Sequence, residues 1–318
     1  MPRYDQTLPL SKEELEIYRL RARRQQRQNL SGGHQMRRKG QSLTFHDYRD
    51  YLPGDDIRHV DWRASYRLGD EQGLLVKEFT AEEQLTIVIS LDFRESMWLP
   101  QACPKILLAS WLAEAMVAVA ARSGDEVWLH RLFGKGSGGP IPVRGSNHAR
   151  SVLYSWWREG WDDEKTNLER LNKSRPPAAV WLILSDFYFP KEERSLTRAV
   201  RLAQESHCWA ITLDLDSWPH ERVLLGLGSR WVEGPEPGDD GTRNNRHLVE
   251  LDDQKLDKVA GRIQVHKDHF RRRLGKAGHD AIHWLWPGKP AVDAAAFFRT
   301  CFHQDAVLAR LFMRERLT

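Results

Sequence analysis

From Leu85 onward, short apolar runs alternate with longer segments of helical period. Leu85 to Leu91 is an apolar run, broken only by Thr86 and Ser90 and rich in β-branched residues, which predicts a central parallel strand buried on both faces. Ile106 to Ala120 is apolar nearly all round and stops at Ser123-Gly124, so it predicts a helix packed on that sheet. Val127–Phe133 predicts the next strand, 147–159 a second helix, and Val180–Leu184 another buried strand leading into SDFYFP. A helix at 191–206 and a strand at 208–213 continue the series. After them comes a less regular stretch with turn signals at Gly234-Pro235, Pro237-Gly238 and Asp240-Gly241. A long charged helix at 252–274, a strand at 281–286 and a last helix after Pro290 complete it. This alternation predicts an α/β fold built on a doubly wound, mostly parallel sheet.

The N-terminal quarter reads differently. Ser11 and Glu14 form a capping box that opens a helix expected to run toward Leu30 and to stop at Ser31-Gly32-Gly33. Between Ile17 and Gly40 there are eight Arg or Lys residues and no acidic ones. Such a run is either a solvated helix face or an arm for an acidic partner or a phosphate backbone. From Gly40 to Glu83 the chain is polar and studded with aromatics, with a turn at Pro53-Gly54-Asp55 and a strand at Leu74–Phe79. Asp47, Arg49, Asp50, Asp55, Asp56, Arg58, Asp61, Arg63 and Arg67 alternate in sign beside Phe45, Tyr48, Tyr51 and Trp62. That pattern points to an ion-pair network holding a small loop- and β-rich module together. Three parts follow: a basic helical arm (1–31), an Asp/Arg-rich module (32–84) and the α/β domain (85–318).

Composition narrows the function classes. A net charge of +4 on 318 residues does not by itself call for a polyanionic partner. Cys103, Cys208 and Cys301 lie far apart in sequence, which argues for a reducing compartment and against a disulfide framework or a Cys-based zinc site. The N-terminus has no apolar core of a signal peptide. Ile106 to Ala121 is broken by Ser110 and Glu114 and falls short of the ~20 residues that span a bilayer. These features predict a cytoplasmic protein without a membrane span.

Ligands of open parallel sheets sit at the carboxyl ends of the strands. Three such exits carry oxygen ligands here: Asp92 with Ser96, Thr166 ahead of a helix, and Ser185-Asp186. Hydroxyls and carboxylates converging from separate loops suit a hard cation such as Mg²⁺. Other candidate chemistry is thin. GKGSGG at 134–139 lacks the P-loop lysine spacing, and no GxSxG or HExxH occurs. The pairs His266/His269 and His279/His283 have no third ligand to complete a metal site.

Asp92-x-x-x-Ser96, Thr166-x-Leu168 and the strand-end Asp186 resemble the metal-ion-dependent adhesion site of von Willebrand factor A domains. The stretch GGHQMRRKGQSLTFHDYRDYLPGDDIRHVDWRASYR resembles the signature of the domain of unknown function 58 family, bacterial proteins with a von Willebrand A-like domain. The residues carrying it are Arg49, Tyr51, Gly54, Asp55, Asp56, Arg58, Asp61, Trp62 and Arg67. The resemblance implies a von Willebrand A-like fold and a non-enzymatic protein-binding role. It also implies work beside a MoxR-type AAA+ ATPase, or on its client, in chaperone-like or complex-maturation tasks. One departure matters. The adhesion-site motif is Asp-x-Ser-x-Ser, and Arg94 stands at its first serine. A guanidinium cannot ligate a cation, and its fixed charge competes with one. The expectation is a degenerate site in which Arg94 takes the place of the cation, with no cofactor or only weakly held Mg²⁺ or Mn²⁺. The rival functions are nucleic-acid binding through the 17–40 arm and, last because no general base is in view, a metal-dependent hydrolase.

Overall fold

The computed structural model describes residues 7–20, 42–52, 57–68, 73–82, 85–101, 103–133, 139–160, 168, 171, 180–188, 195–233, 246–275, 280–286 and 293–314. The chain forms two units, Met1–Ala22 with Thr86–Thr318, and Arg23–Leu85.

The larger unit is α/β. It opens with α1 (Lys12–Glu16) and β1 (Tyr18–Leu20), followed by the first sheet strand, β2 (Thr86–Leu91). Next come α2 (Lys105–Arg122), β3 (Glu126–Arg131), β4 (Ile141–Val143), α3 (Ser146–Glu159) and β5 (Val180–Ser185). The chain continues through α4 (Ser195–Glu205), β6 (Trp209–Asp216), α5 (Trp218–Leu225), β7 (Gly228–Glu233) and β8 (Arg246–Leu251). It ends with α6 (Asp253–Gly275), β9 (Asp280–Leu285), α7 (Ala294–Gln304), α8 (Ala306–Leu311) and β10 (Phe312–Arg314). Six strands form the main sheet in the order β9-β6-β5-β2-β3-β4. All its pairings are parallel except β3 with β4.

The apolar runs become the inner strands for the physical reason they suggest: both faces are covered. On one face Val88, Trp181, Ile183 and Ala210 pack with Leu196, Ala199, Val200 and Ala203 of α4 and with Phe270 and Leu274 of α6. The alternate residues Ile87, Ile89 and Leu182 are equally buried. On their side α2 packs along β2 and β3, and its Trp111 meets Phe298 of α7, which in turn meets Trp284 of β9. The sheet is doubly wound. Each large apolar side chain buried this way contributes roughly 1.5–3 kcal/mol.

The N-terminal helix is shorter than expected. Its capping box is present, with the Ser11 amide donating to Glu14 Oε2 at 2.7 Å and the Glu14 amide donating to Ser11 Oγ at 3.1 Å. The helix nevertheless ends at Glu16, because the next residues are claimed by the far end of the chain. Tyr18 is buried against Phe302 and Phe312, its hydroxyl lies 2.6 Å from His303 Nδ1, and β1 pairs antiparallel with β10. Most of the basic run, residues 21–41, lies outside the described residues.

The smaller unit is more regular than its sequence promises. Strands Ser42–Asp50 and Leu75–Glu82 pair antiparallel, and a helix spans Trp62–Leu68. A shift in register between Phe45 and Asp47 breaks the two-residue alternation, which is why the first strand is hard to read in the sequence. Asp61 starts the helix: Oδ1 accepts the amides of Arg63 and Ala64 at 3.1 Å each, and Oδ2 accepts the Tyr48 hydroxyl at 2.9 Å. Ser65 Oγ donates to the Asp61 carbonyl and accepts the Leu75 amide, each at 2.8 Å, fastening helix to strand. Loss of an N-cap costs about 1 kcal/mol, and the Tyr48 bond to a charged acceptor adds a comparable amount. Asp61→Ala is therefore expected to lower unfolding stability by about 2 kcal/mol in a urea titration. A loss below ~0.5 kcal/mol would show that the cap is dispensable.

Candidate functional site at the carboxyl edge of the sheet

The two central strands deliver their terminal residues side by side. The Asp92 amide donates to the Leu184 carbonyl at 3.0 Å, so the chain past β2 stays fastened to β5. Asp92 and Asp186 are both fully buried. Arg94, two residues past Asp92 on the turn, folds back over it. Its Nη2 donates to Asp92 Oδ2 at 2.7 Å, and its Nε lies 3.1 and 3.2 Å from the two carboxylate oxygens. The same Nη2 reaches Asp186 Oδ1 at 3.4 Å, while Nη1 donates to the Tyr188 carbonyl at 2.8 Å. The guanidinium stacks on Phe133, 4.5 Å from the ring centroid. Ser185 Oγ donates to Asp92 Oδ2 at 2.7 Å and accepts the Phe187 amide at 2.9 Å. Phe187 takes a left-handed backbone conformation, rare for a residue with a side chain, at the turn that follows Asp186.

A second cation completes this cluster. Lys105, the first residue of α2, lies 3.1 Å from Asp186 Oδ2 and 2.8 Å from Glu221 Oε1 of α5. The Ser217 hydroxyl donates to the same Glu221 oxygen. Beyond it the Tyr188 ring stands between two ammonium groups, with Lys105 Nζ at 5.0 Å and Lys267 Nζ at 4.9 Å from its centroid. Lys267, from α6, is paired with Asp214 at 2.8 Å and Asp216 at 3.2 Å, and Arg271 with Asp214 at 2.7 Å. His283 Nδ1 also lies 3.3 Å from Asp214.

These pairings set the charges firmly. Burial pushes the Asp186 carboxyl up, but Lys105 and Arg94 outweigh it and hold the group below the usual range. The Ser96 hydroxyl adds to that effect. Asp214 is likewise raised by burial, and His283 and Lys267 more than reverse it. For Lys105 burial acts downward, and Asp186 and Glu221 win, so its ammonium persists to higher pH. Carboxylates driven down and a lysine driven up are fixed charges at neutral pH; none of them is poised to exchange a proton. Nor are the thiols poised nucleophiles, since burial pushes Cys103 and Cys301 up to about 12.

Asp92, Arg94, Ser96 and Asp186 are thus gathered at one edge of the sheet. Thr166 lies outside the described residues, as do Gly54, Asp55 and Asp56 of the signature and His279. Tyr51 is half-buried, with its amide on the Leu74 carbonyl, and Arg49 lies opposite Val76 in the strand pair. Arg58, Trp62 and Arg67 are exposed. Residues not singled out from the sequence are Lys105, Tyr188, Glu221, Lys267, Asp214 and Asp216. A signal existed for one of them. Lys105 heads a largely apolar helix, and a charge buried there needs a partner.

The donor set does not suit a divalent cation. Both Asp92 oxygens already accept from Arg94, Asp186 faces a guanidinium and an ammonium, and two fixed positive charges repel a third. No group of three or more His, Cys, Asp or Glu side chains able to hold a metal occurs among the described residues.

The protein is therefore an α/β protein whose mostly parallel six-stranded sheet ends in a cluster of buried ion pairs. A family model described as "Protein of unknown function DUF58" matches residues 47–246, well over half of the chain, and the protein belongs to that family. Solved structures that resemble the chain include two of uncharacterised proteins. The conserved hypothetical protein BatB from Bacteroides thetaiotaomicron is 13% identical, with a TM-score of 0.39, over 63% of this chain and 89% of its own. An uncharacterized membrane spanning protein from Vibrio fischeri is 14% identical, with a TM-score of 0.21, over 63% and 91%. No curated protein matches the sequence. Among the described residues, no helix is long and apolar enough to cross a membrane.

Proposed function

We propose that this chain is a cytoplasmic, non-enzymatic protein-binding module with a von Willebrand A-like domain. Its degenerate adhesion site, at the edge formed by Asp92, Ser96 and Asp186, docks a MoxR-type AAA+ ATPase or a client of one. The observation that carries this reading is the guanidinium of Arg94 lying across Asp92 and reaching Asp186. An internal cation in that position leaves a shaped, neutralised rim without a reactive group, which suits recognition better than turnover. The partner class comes from the family resemblance.

The rim, not the buried carboxylates, is the place to test it, since a charge reversal at Asp186 would unfold the cluster. Leu99 and Gln101, on the exposed turn after Arg94, serve instead. The host's MoxR-type ATPase should be captured by the wild-type protein, and Leu99→Asp with Gln101→Arg should weaken capture at least ~10-fold, about 1.4 kcal/mol. Melting temperatures should stay unchanged. Undiminished capture by the folded variant would move the docking face elsewhere.

A further inference from the structure

The helix Trp62–Leu68 of the smaller unit presents an outward face that the pairing of the module does not use. At 100° per residue, Trp62, Tyr66, Arg63 and Arg67 fall in that order around one side, and Ala64 and Ser65 on the other. Exposure follows the same division. Ser65 is buried and bonded to the neighbouring strand, while Trp62 is 59% and Tyr66 89% exposed and both arginines are exposed. Among the described residues, none of these four side chains has an ion pair or a ring contact. The helix that carries them is nevertheless held in place, because Asp61 caps it and Ser65 ties it to Leu75. A pre-organised helix therefore holds two large aromatics and two guanidinium groups in water, the residue types that dominate the energetics of protein interfaces.

We infer that this face is a docking site for an acidic protein segment, one that sets Asp or Glu side chains beside an apolar anchor. Charge selects the occupant. The guanidinium pair recognises carboxylates through paired N–H donors, and the Trp62–Tyr66 step offers an apolar ledge for the anchor. A nucleic acid fits less well, because a polyanion is held by an extended positive field. Here the helix carries only two guanidinium groups, and the Asp61 carboxylate stands at the foot of the face. The proposal shares no residue with the rim at the carboxyl edge of the larger unit's sheet and does not rest on its function.

The test is a selection from a random 12-residue peptide library displayed on phage, against the full-length protein. Recovered peptides are synthesised and their affinities read by fluorescence anisotropy. Enrichment of Asp or Glu around an aromatic or aliphatic residue is expected. Binding should fall at least tenfold in Tyr66→Ala and, independently, in Arg63→Glu with Arg67→Glu. It should be unchanged in Lys258→Glu, an exposed charge on α6, and in Leu99→Asp. All variants should melt like the wild type, since the altered side chains are exposed. No enrichment, peptides without acidic residues, or affinities indifferent to both sets of variants would overturn the inference. So would binding of a 15-nucleotide oligo(dT) that competes with the peptides through the same four residues.

Discussion

Arg94→Ser is expected to be about 3–5 kcal/mol less stable than the wild type in metal-free buffer, and to gain affinity for Mn²⁺ that the wild type lacks. The first effect follows from removing one partner of a buried ion pair, which leaves Asp92 and part of Asp186 uncompensated inside the protein. The second follows from charge. At ~5 Å and an effective dielectric of ~20, a unit positive charge opposes a divalent ion by about 6–7 kcal/mol before solvent and relaxation reduce it. Serine also restores the second hydroxyl of Asp-x-Ser-x-Ser. Lys105 stays beside Asp186, so the gained affinity is modest, but a hundredfold excess over Kd would still return about 2.7 kcal/mol of the lost stability. Urea titrations of both proteins with and without MnCl₂, and calorimetric titration of each, read the two effects together. Tight Mn²⁺ binding by the wild type that disappears in the variant would mean that Arg94 supports a metal site, and the assignment of its role would be wrong.

Lys105→Met should have a comparable effect, with a pH signature of its own. Its ammonium is the link between Asp186 and Glu221, and methionine fills the space without the charge. A loss of about 3–5 kcal/mol at neutral pH is expected. The sign of the pH dependence follows from Asp186, whose carboxyl is held below its ordinary value mainly by Lys105 and then Arg94, against the upward push of burial. A depressed carboxylate contributes stability above its unfolded pKa, about 3.9, and loses that contribution as pH falls through the folded value. Without Lys105 the carboxyl of the variant protonates at higher pH than that of the wild type, so the stability gap is widest near pH 7 and narrows as the pH falls through the carboxylate range. Chemical denaturation at a series of pH values measures it. A gap that stays constant between pH 3 and pH 8 would assign the role of Lys105 to the packing of its methylenes instead of its charge.

Much of the larger unit was legible in the sequence because its signals are local. The runs Leu85–Leu91, broken only by Thr86 and Ser90, and Val180–Leu184 are short, apolar and rich in strand-forming residues, as a strand covered on both faces requires, and each became an inner strand of the sheet. The Asp92–Arg94 contact was legible for the same reason: two residues apart on a turn, the side chains have little choice but to meet. Other features were hidden by local exceptions. A shift in register disguised the strand Ser42–Asp50, and the pattern between Leu215 and Asp252, loop-like in composition, holds α5 and the β7–β8 hairpin. The helix begun at Ser11 stops after Glu16 because Tyr18 finds its partners at His303, Phe302 and Phe312 near the other end of the chain. Period and composition encode burial, and so they mark the inner strands and the charged residues at their ends. Which charges meet is a matter of the three-dimensional fold. Lys105 and Glu221 are 116 residues apart, as Lys267 and Asp214 are 53, and no local pattern records a pairing that exists because parallel strands bring their carboxyl ends to one edge.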